Sequence, residues 1–443
     1  MSTTAPPERA FDATRYLEEL AEVDLIRTNG KVSQVIGTVI ESNGPPMAIG
    51  ETASLTYRRS SEPVLAEAVG FRESKVLLMP LGEVGGIAAG SEVVALGRPL
   101  QIGLAQGLLG RVLDGLGRPL DGLGPIVGAR RAEISGTPPN SLTRRRVVEP
   151  LGVGVRALDG LLTIGKGQRL GIFSGSGVGK STVLGMIARN TAADVNVIAL
   201  VGERGKEVRD FLERDLGEAG LRRSVVVVAT SDQPALVRIK AAFVATRIAE
   251  YFRDQGLDVM LMMDSVTRFA MAQREVGLAI GEPTTTRGYT PSVFALLPKL
   301  LERTGAADVG TITALYTVLV DGDDLNEPVS DAVRSILDGH VVLSRKLAAA
   351  NQYPAIDVLA SVSRVMPDVV PPSHLAAAST VRDILATYRD AEDLVNIVAY
   401  VPGSNPRVDH ALARIDQVRL FLRQGIYERS TFEDAQRAVM GLG

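Results

Sequence analysis

Along the 443-residue chain the spacing of apolar positions changes three times, and each change predicts a different kind of element. After a low-complexity start, Tyr16, Leu17, Leu20 and Val23 fall at helical spacing, with Glu18, Glu19 and Glu22 on the other side, which predicts a helix over residues 11–27. That helix either packs on the body of the protein or docks a partner. From about Gly30 to Gly97, short β-branched runs (residues 35–40, 54–57 and 75–79) alternate with Gly and Pro turns, the pattern of a small β-barrel or sandwich. The Gly- and Pro-rich stretch 107–124 reads as a long connection. From about Leu151, near-continuous apolar runs at 169–173, 195–201, 225–229, 259–263 and 311–316 alternate with helical patterns, which predicts a parallel sheet covered on both faces. After about Pro372 the strand pattern stops, and long helical patterns run to the end, broken at Pro402 and Gly403. The predicted organisation is a multidomain α/β chain. It has an N-terminal helical segment (1–29), a β-barrel domain (30–98), a parallel-sheet α/β domain (99–372) and a helical C-terminal domain (373–443).

Composition narrows the chemistry. The chain has no cysteine, which removes disulfides, thiolate metal sites and cysteine catalysis. A net charge of −3 gives no reason to expect bulk nucleic-acid binding. Arg144, Arg145 and Arg146 are either a local basic strip or a solvated linker. The N-terminus lacks the apolar core of a signal peptide, and no run of about 18 apolar residues is present, so a cytoplasmic protein with at most peripheral membrane attachment is expected.

The strongest local chemistry lies at residues 174–182: Ser174, Gly175, Ser176, Gly177, Val178, Gly179, Lys180, Ser181 and Thr182, between a strand and a helix that starts near Gly179. Glycines let the backbone wrap a phosphate and turn N–H groups inward, and the helix N-terminus adds partial positive charge. Lys180 can reach the β- and γ-phosphates of ATP, and the Ser181 hydroxyl can ligate Mg²⁺. The usual pattern begins with Gly where this chain has Ser174. Asp264, directly after an apolar run, is the Walker B candidate, expected on a strand beside the P-loop strand. Glu203 follows another strand of the same sheet and is the choice for orienting or deprotonating the attacking water, with Arg204 and Glu207 behind it. Taken alone, the Gly-Glu-Arg tripeptide equally fits a surface salt bridge. Tyr353 and Arg364 alone fit core and surface.

Five stretches together change those readings: 174–181, 202–208, 263–270, 281–294 and 354–364. Through them the chain resembles the flagellum-specific and injectisome ATPases of type III protein export, which are similar to the catalytic subunit of rotary ATP synthases. The stretches 281–294 and 321–328 look like the secretion branch. The resemblance implies a P-loop ATPase domain of RecA-like type over 99–372 and a partner-docking role for segment 1–29. It also implies ATP and Mg²⁺ as ligands, with Lys180 and Ser181 on phosphate and metal and Asp264 as the Walker B acid. It implies Glu203 as the catalytic carboxylate, Arg204 as its neighbour, Tyr353 stacked on adenine and Arg364 as a finger reaching the neighbouring protomer's nucleotide. It further implies a homohexamer, a negative-regulator or stator protein at the N-terminal segment, a stalk-like protein in the ring, export-gate membrane proteins and chaperone–substrate complexes, without nucleic acid. Glu203 and Arg364 in one chain would let identical protomers complete every site. One departure stands out. The synthase family places a second aromatic against adenine near residues 421–427, where this chain aligns Ile426, with Tyr427 next to it.

Three functions compete. A protein-export ATPase fits best, and residues 400–409 look like the flagellar branch. A rotary-ATPase catalytic subunit is opposed by the shorter C-terminal region. An RNA translocase would want aromatics and basic residues in the stretch 30–97, which has few of either.

Overall fold

A computed structural model of the chain describes residues 28–57, 63–140, 142–320, 322 and 324–443. The helix expected over residues 11–27 lies outside the described residues. The chain divides into two compact units, one ending at Pro99 and the other running Leu100–Gly443.

The first unit is a barrel of β1 (Asn29–Ile36), β2 (Val39–Asn43), β3 (Glu51–Thr56), β4 (Val64–Arg72), β5 (Lys75–Pro80) and β6 (Glu92–Pro99). The sheet closes in the order β1-β2-β5-β4-β3-β6, every pair antiparallel. Closure leaves no unpaired edge. Residues 35–40 are a hairpin and not one strand, because Ile36 pairs with Val39 across a two-residue turn whose Gly37 has φ +59°. Inward-facing Val32, Ile40, Ala53, Leu55, Ala66, Leu78 and Val93 fill the barrel.

The second unit contains β7 (Gln101–Leu104), β8 (Val112–Asp114), β9 (Arg130–Glu133), β10 (Arg169–Ser174), β11 (Val195–Val201), β12 (Ser224–Ala229), β13 (Asp258–Asp264), β14 (Gly305–Ala306), β15 (Thr311–Leu319), β16 (Gly339–Leu343) and β17 (Ile356–Ser363). Its main sheet runs β17-β16-β10-β15-β13-β11-β12-β8, parallel except for β17, with β14 paired antiparallel to β15. All residues of β11 and β12 are buried, as strands covered on both faces must be.

Two readings from the sequence change here. The stretch 107–124 is not only a connection: β8 within it extends the sheet alongside β12. Arg111 holds the segment in place by donating from Nε and Nη2 to the two oxygens of Asp121 at 2.7 and 2.9 Å. The same pairing holds the Asp121 carboxyl down at about 2. The basic run is neither a free strip nor a free linker. Arg144 donates to the carbonyls of Glu302 and Thr304, and Arg145 to those of Ala307 and Gly310, so two of the three arginines stitch the 302–310 segment.

The C-terminal part is three helices: α1 of this group is Pro372–Asn396, α2 is Pro406–Leu422 and α3 is Phe432–Leu442. Pro402 and Gly403 fall in the first break, and a second break at residues 423–431 separates α2 from α3. The side chains of Val381, Ile384, Val418, Phe421 and Val439 join the same core cluster as the sheet.

Candidate active site

β10 ends at Ser174, and the chain turns through Gly177 (φ +79°) and Gly179 (φ +100°) into the helix Lys180–Asn190. Those two φ values lie where a β-carbon is strained, so glycine is the residue the turn requires. None of the N–H groups of residues 175–179 donates to a protein acceptor among the described residues. A row of unused donors ahead of a helix N-terminus is what a phosphate chain needs.

Two strand ends and the start of a helix meet at this turn. Asp264 ends β13, Glu203 lies just past the end of β11, and Lys180 starts the P-loop helix. The Lys180 Nζ lies 2.5 Å from Asp264 Oδ1 and 3.5 Å from Glu203 Oε1. Burial works against the ammonium, but the charges of Asp264 and Glu203 outweigh it and raise its pKa. Burial pushes the Glu203 carboxyl up to about 7, the negative charge of Asp264 adds to this, and Lys180 opposes it. A carboxyl that changes state near neutral pH suits proton transfer.

The placement of β13 corrects the expectation that it lies beside the P-loop strand. β15 sits between β10 and β13, hydrogen-bonded to both. The inserted strand supplies a residue the sequence reading missed: Thr317 donates its hydroxyl to Asp264 Oδ1 at 2.7 Å. A polar residue inside an apolar run was the available signal. Gly202 (φ +72°) lets the chain turn under Glu203, and a β-carbon there would sit 2.8 Å from Arg268 Cβ. Arg268, also missed, has a buried Nε without a partner among the described residues.

The structure does not gather every named residue into one place. Ser174 is buried, and its hydroxyl has no partner among the described residues. Ser181 is exposed at the mouth of the turn. Arg204 extends into solvent, 3.9 Å from Glu207. Tyr353 is half-exposed, with Cε1 3.9 Å from where a β-carbon on Gly179 would stand, so its ring flanks the P-loop. Ile426 and Tyr427 are exposed on the loop between the last two helices, with Arg189 of the P-loop helix over the Tyr427 ring. Arg364 follows β17 and donates its N–H to Asp338 O, beside the start of β10. That is the opposite end of the sheet, one strand length (about 17 Å) from its own P-loop.

The residues fit ATP and Mg²⁺. The cradle offers unused N–H groups and one ammonium for phosphates. Ser181 and Asp264 offer one hydroxyl and one carboxylate, which suits an ion that keeps water and takes the rest of its ligands from substrate phosphates.

Three family descriptions cover most of the chain. Residues 32–97 match the β-barrel domain of the ATP synthase alpha/beta family, residues 154–363 its nucleotide-binding domain, and residues 370–440 the C-terminal domain of the type III secretion ATPase EscN. The flagellum-specific ATP synthase of Bacillus subtilis is 57% identical over 95% of this chain and 96% of its own length. The chain belongs to the flagellum-specific and type III secretion ATPases. The type 3 secretion system ATPase of Xanthomonas euvesicatoria is 52% identical over 95% of both chains. The structure of the assembled ATPase EscN of enteropathogenic E. coli superposes with a TM-score of 0.89 at 46% identity, covering 93% of this chain and 99% of that one. Family membership makes this an ATP-synthase-like nucleotide-binding ATPase. Among the described residues, no helix is long and apolar enough to cross a membrane.

Proposed function

We propose that this chain is a Mg²⁺-dependent ATP phosphohydrolase of translocase type that drives protein export through a bacterial flagellar type III apparatus, promoting chaperone release and unfolding and delivering substrates to the export gate. The observation that carries the catalytic part is the position of Lys180 between Asp264 and Glu203 at the mouth of a cradle of unused N–H donors. Lys180 and the N–H groups of residues 175–179 bind the phosphates. Ser181 and Asp264 hold Mg²⁺, which supplies charge neutralisation at the phosphates when bound. Glu203, ionised above about pH 7, orients the attacking water and accepts its proton. Tyr353 offers its ring to the adenine.

Arg364 cannot serve its own site from the far end of the sheet, so it acts on a neighbour's. Such an arginine, supplied across an interface, speeds phosphoryl transfer by about 10³–10⁵. This fits the homohexameric ring that the resemblance implies, in which each chain supplies Glu203 to its own site and Arg364 to the next. The EscN relative is described as assembled, and also in complex with its central stalk EscO. A stalk-like partner in the ring, a regulatory or stator protein at the N-terminal segment, export-gate and chaperone–substrate partners, and a cytoplasmic location with peripheral membrane association complete the reading.

A strain lacking this gene tests it, through motility and supernatant protein, with a wild-type or Lys180→Ala copy restored. Loss of filaments and exported filament protein, rescued by the wild-type copy only, is the expected result. Relatives named for type 3 secretion, such as the Xanthomonas ATPase, favour a second reading as an injectisome ATPase. Intact swimming with loss of another secreted set would select it. No change in either would overturn the export reading.

A further inference from the structure

We propose that Gln424 is a positioning residue for nucleotide affinity, tying the C-terminal helices to the base side of the site. The inference rests on the nucleotide reading above. Gln424 lies just past α2 of the C-terminal group, in the loop that bears Ile426 and Tyr427, and is 5% exposed. Its N–H donates to Tyr353 O at 2.9 Å. Its side-chain amide is fully used. Oε1 accepts from Arg156 N at 2.8 Å, and Nε2 donates to Gly154 O at 2.9 Å and Glu428 O at 3.0 Å.

Those partners belong to three separate pieces of the site. Tyr353 flanks the P-loop at Gly179. The segment holding Gly154 backs the far end of the P-loop helix: Ala192 N donates to Gly152 O at 2.9 Å, and a β-carbon on Gly154 would collide with Asn190. Glu428 closes the turn that carries Ile426 and Tyr427, because Gly425 N donates to its carboxylate at 2.9 Å. Gln424 therefore sets the distance between the tyrosine and the P-loop helix. It also makes that distance depend on where α2 of the C-terminal group ends. A residue of this kind changes binding of the base and leaves the phosphate grip alone.

The test uses the full chain with Gln424→Met, which keeps the volume and removes the side-chain hydrogen bonds. KM for ATP, kcat and the inhibition constant of inorganic tripolyphosphate (a triphosphate without a base) are measured together. A rise in KM of about fivefold to tenfold is expected, with kcat within about twofold and tripolyphosphate inhibition unchanged. In a Tyr353→Ala background the same substitution is expected to add nothing, because its effect passes through Tyr353. If Gln424→Met does not fold, Gln424→Asn, which keeps a neutral amide but is one methylene too short for the same partners, carries the same measurements. An unchanged KM, an equal weakening of ATP and tripolyphosphate, or full additivity with Tyr353→Ala would each overturn the proposal. Absence of ATP hydrolysis by the wild-type protein would instead overturn the nucleotide reading, and this inference with it.

Discussion

Arg303 and Lys180 are both sheltered cations facing carboxylates in the same unit, but their surroundings differ. Arg303 is matched atom for atom. Nε and Nη2 donate to the two oxygens of Glu250 at 2.7 Å each, and Nη1 donates to Ile134 O at 2.8 Å. Arg247 Nη1 adds a contact to Glu250 Oε2 at 3.3 Å, so the carboxylate and the guanidinium fork are both engaged by protein groups. Lys180 is a single ammonium shared by two carboxylates, one of them at 3.5 Å, beside a loop whose N–H groups lack partners among the described residues. There two carboxylates face one cation, and burial, joined by the negative charge of Asp264, holds the proton on Glu203 up to about pH 7. Satisfaction separates a structural ion pair from a reactive one. Burial alone does not, since Arg303 is the more deeply buried cation.

Substitutions can sharpen or break that contrast. Lys180→Ala should have the largest catalytic effect, a loss of about 10³-fold in phosphate release, because it removes the ammonium that the P-loop itself brings to the phosphates. Its melting temperature should fall only slightly, since Glu203 can take up a proton once the ammonium that opposes its raised pKa is gone. Arg303→Met should do the reverse. It leaves Glu250 buried without its main partner, and denaturant unfolding should show a loss of about 3–5 kcal/mol. The protein that remains folded should keep its KM and kcat.

The pH dependence comes next. The pKa of Glu203 is raised above the ordinary carboxyl value, so the protonated form persists until about pH 7 and the base appears only above it. kcat/KM, which reports the free enzyme, should fall about tenfold per unit as pH drops below that value. Thr317→Val should have the smallest effect. It removes one hydrogen bond to Asp264, and the Mg²⁺ concentration giving half-maximal rate should rise about fivefold.

The readable part of the site was the part that is local in the chain. Strand, glycine turn, Lys180 and Ser181 are consecutive, and their chemistry needs no knowledge of the fold. Asp264 was legible because a carboxylate ending an apolar strand has few other uses. The order of strands was not legible, because β15 lies some fifty residues after β13 and still inserts between β13 and β10, bringing Thr317 with it. β8 was hidden because three strand residues inside a glycine-rich stretch carry no periodicity. Gln424 was out of reach for the same reason: its partners are Gly154, Arg156 and Tyr353, and no spacing rule connects them. In the first unit, the alternation of short runs pointed to a small β-barrel or sandwich without choosing between them, and it read a hairpin at residues 35–40 as one run.

The central claim is that Glu203 is the base that the Lys180 cluster keeps poised. The direct test is ATP binding and the kcat/KM pH profile of assembled Glu203→Gln beside wild type. The account predicts that the variant binds ATP, turns it over at less than about 1% of the wild-type rate, and loses the limb near pH 7. Turnover near the wild-type rate, or the same limb persisting in the variant, would contradict it.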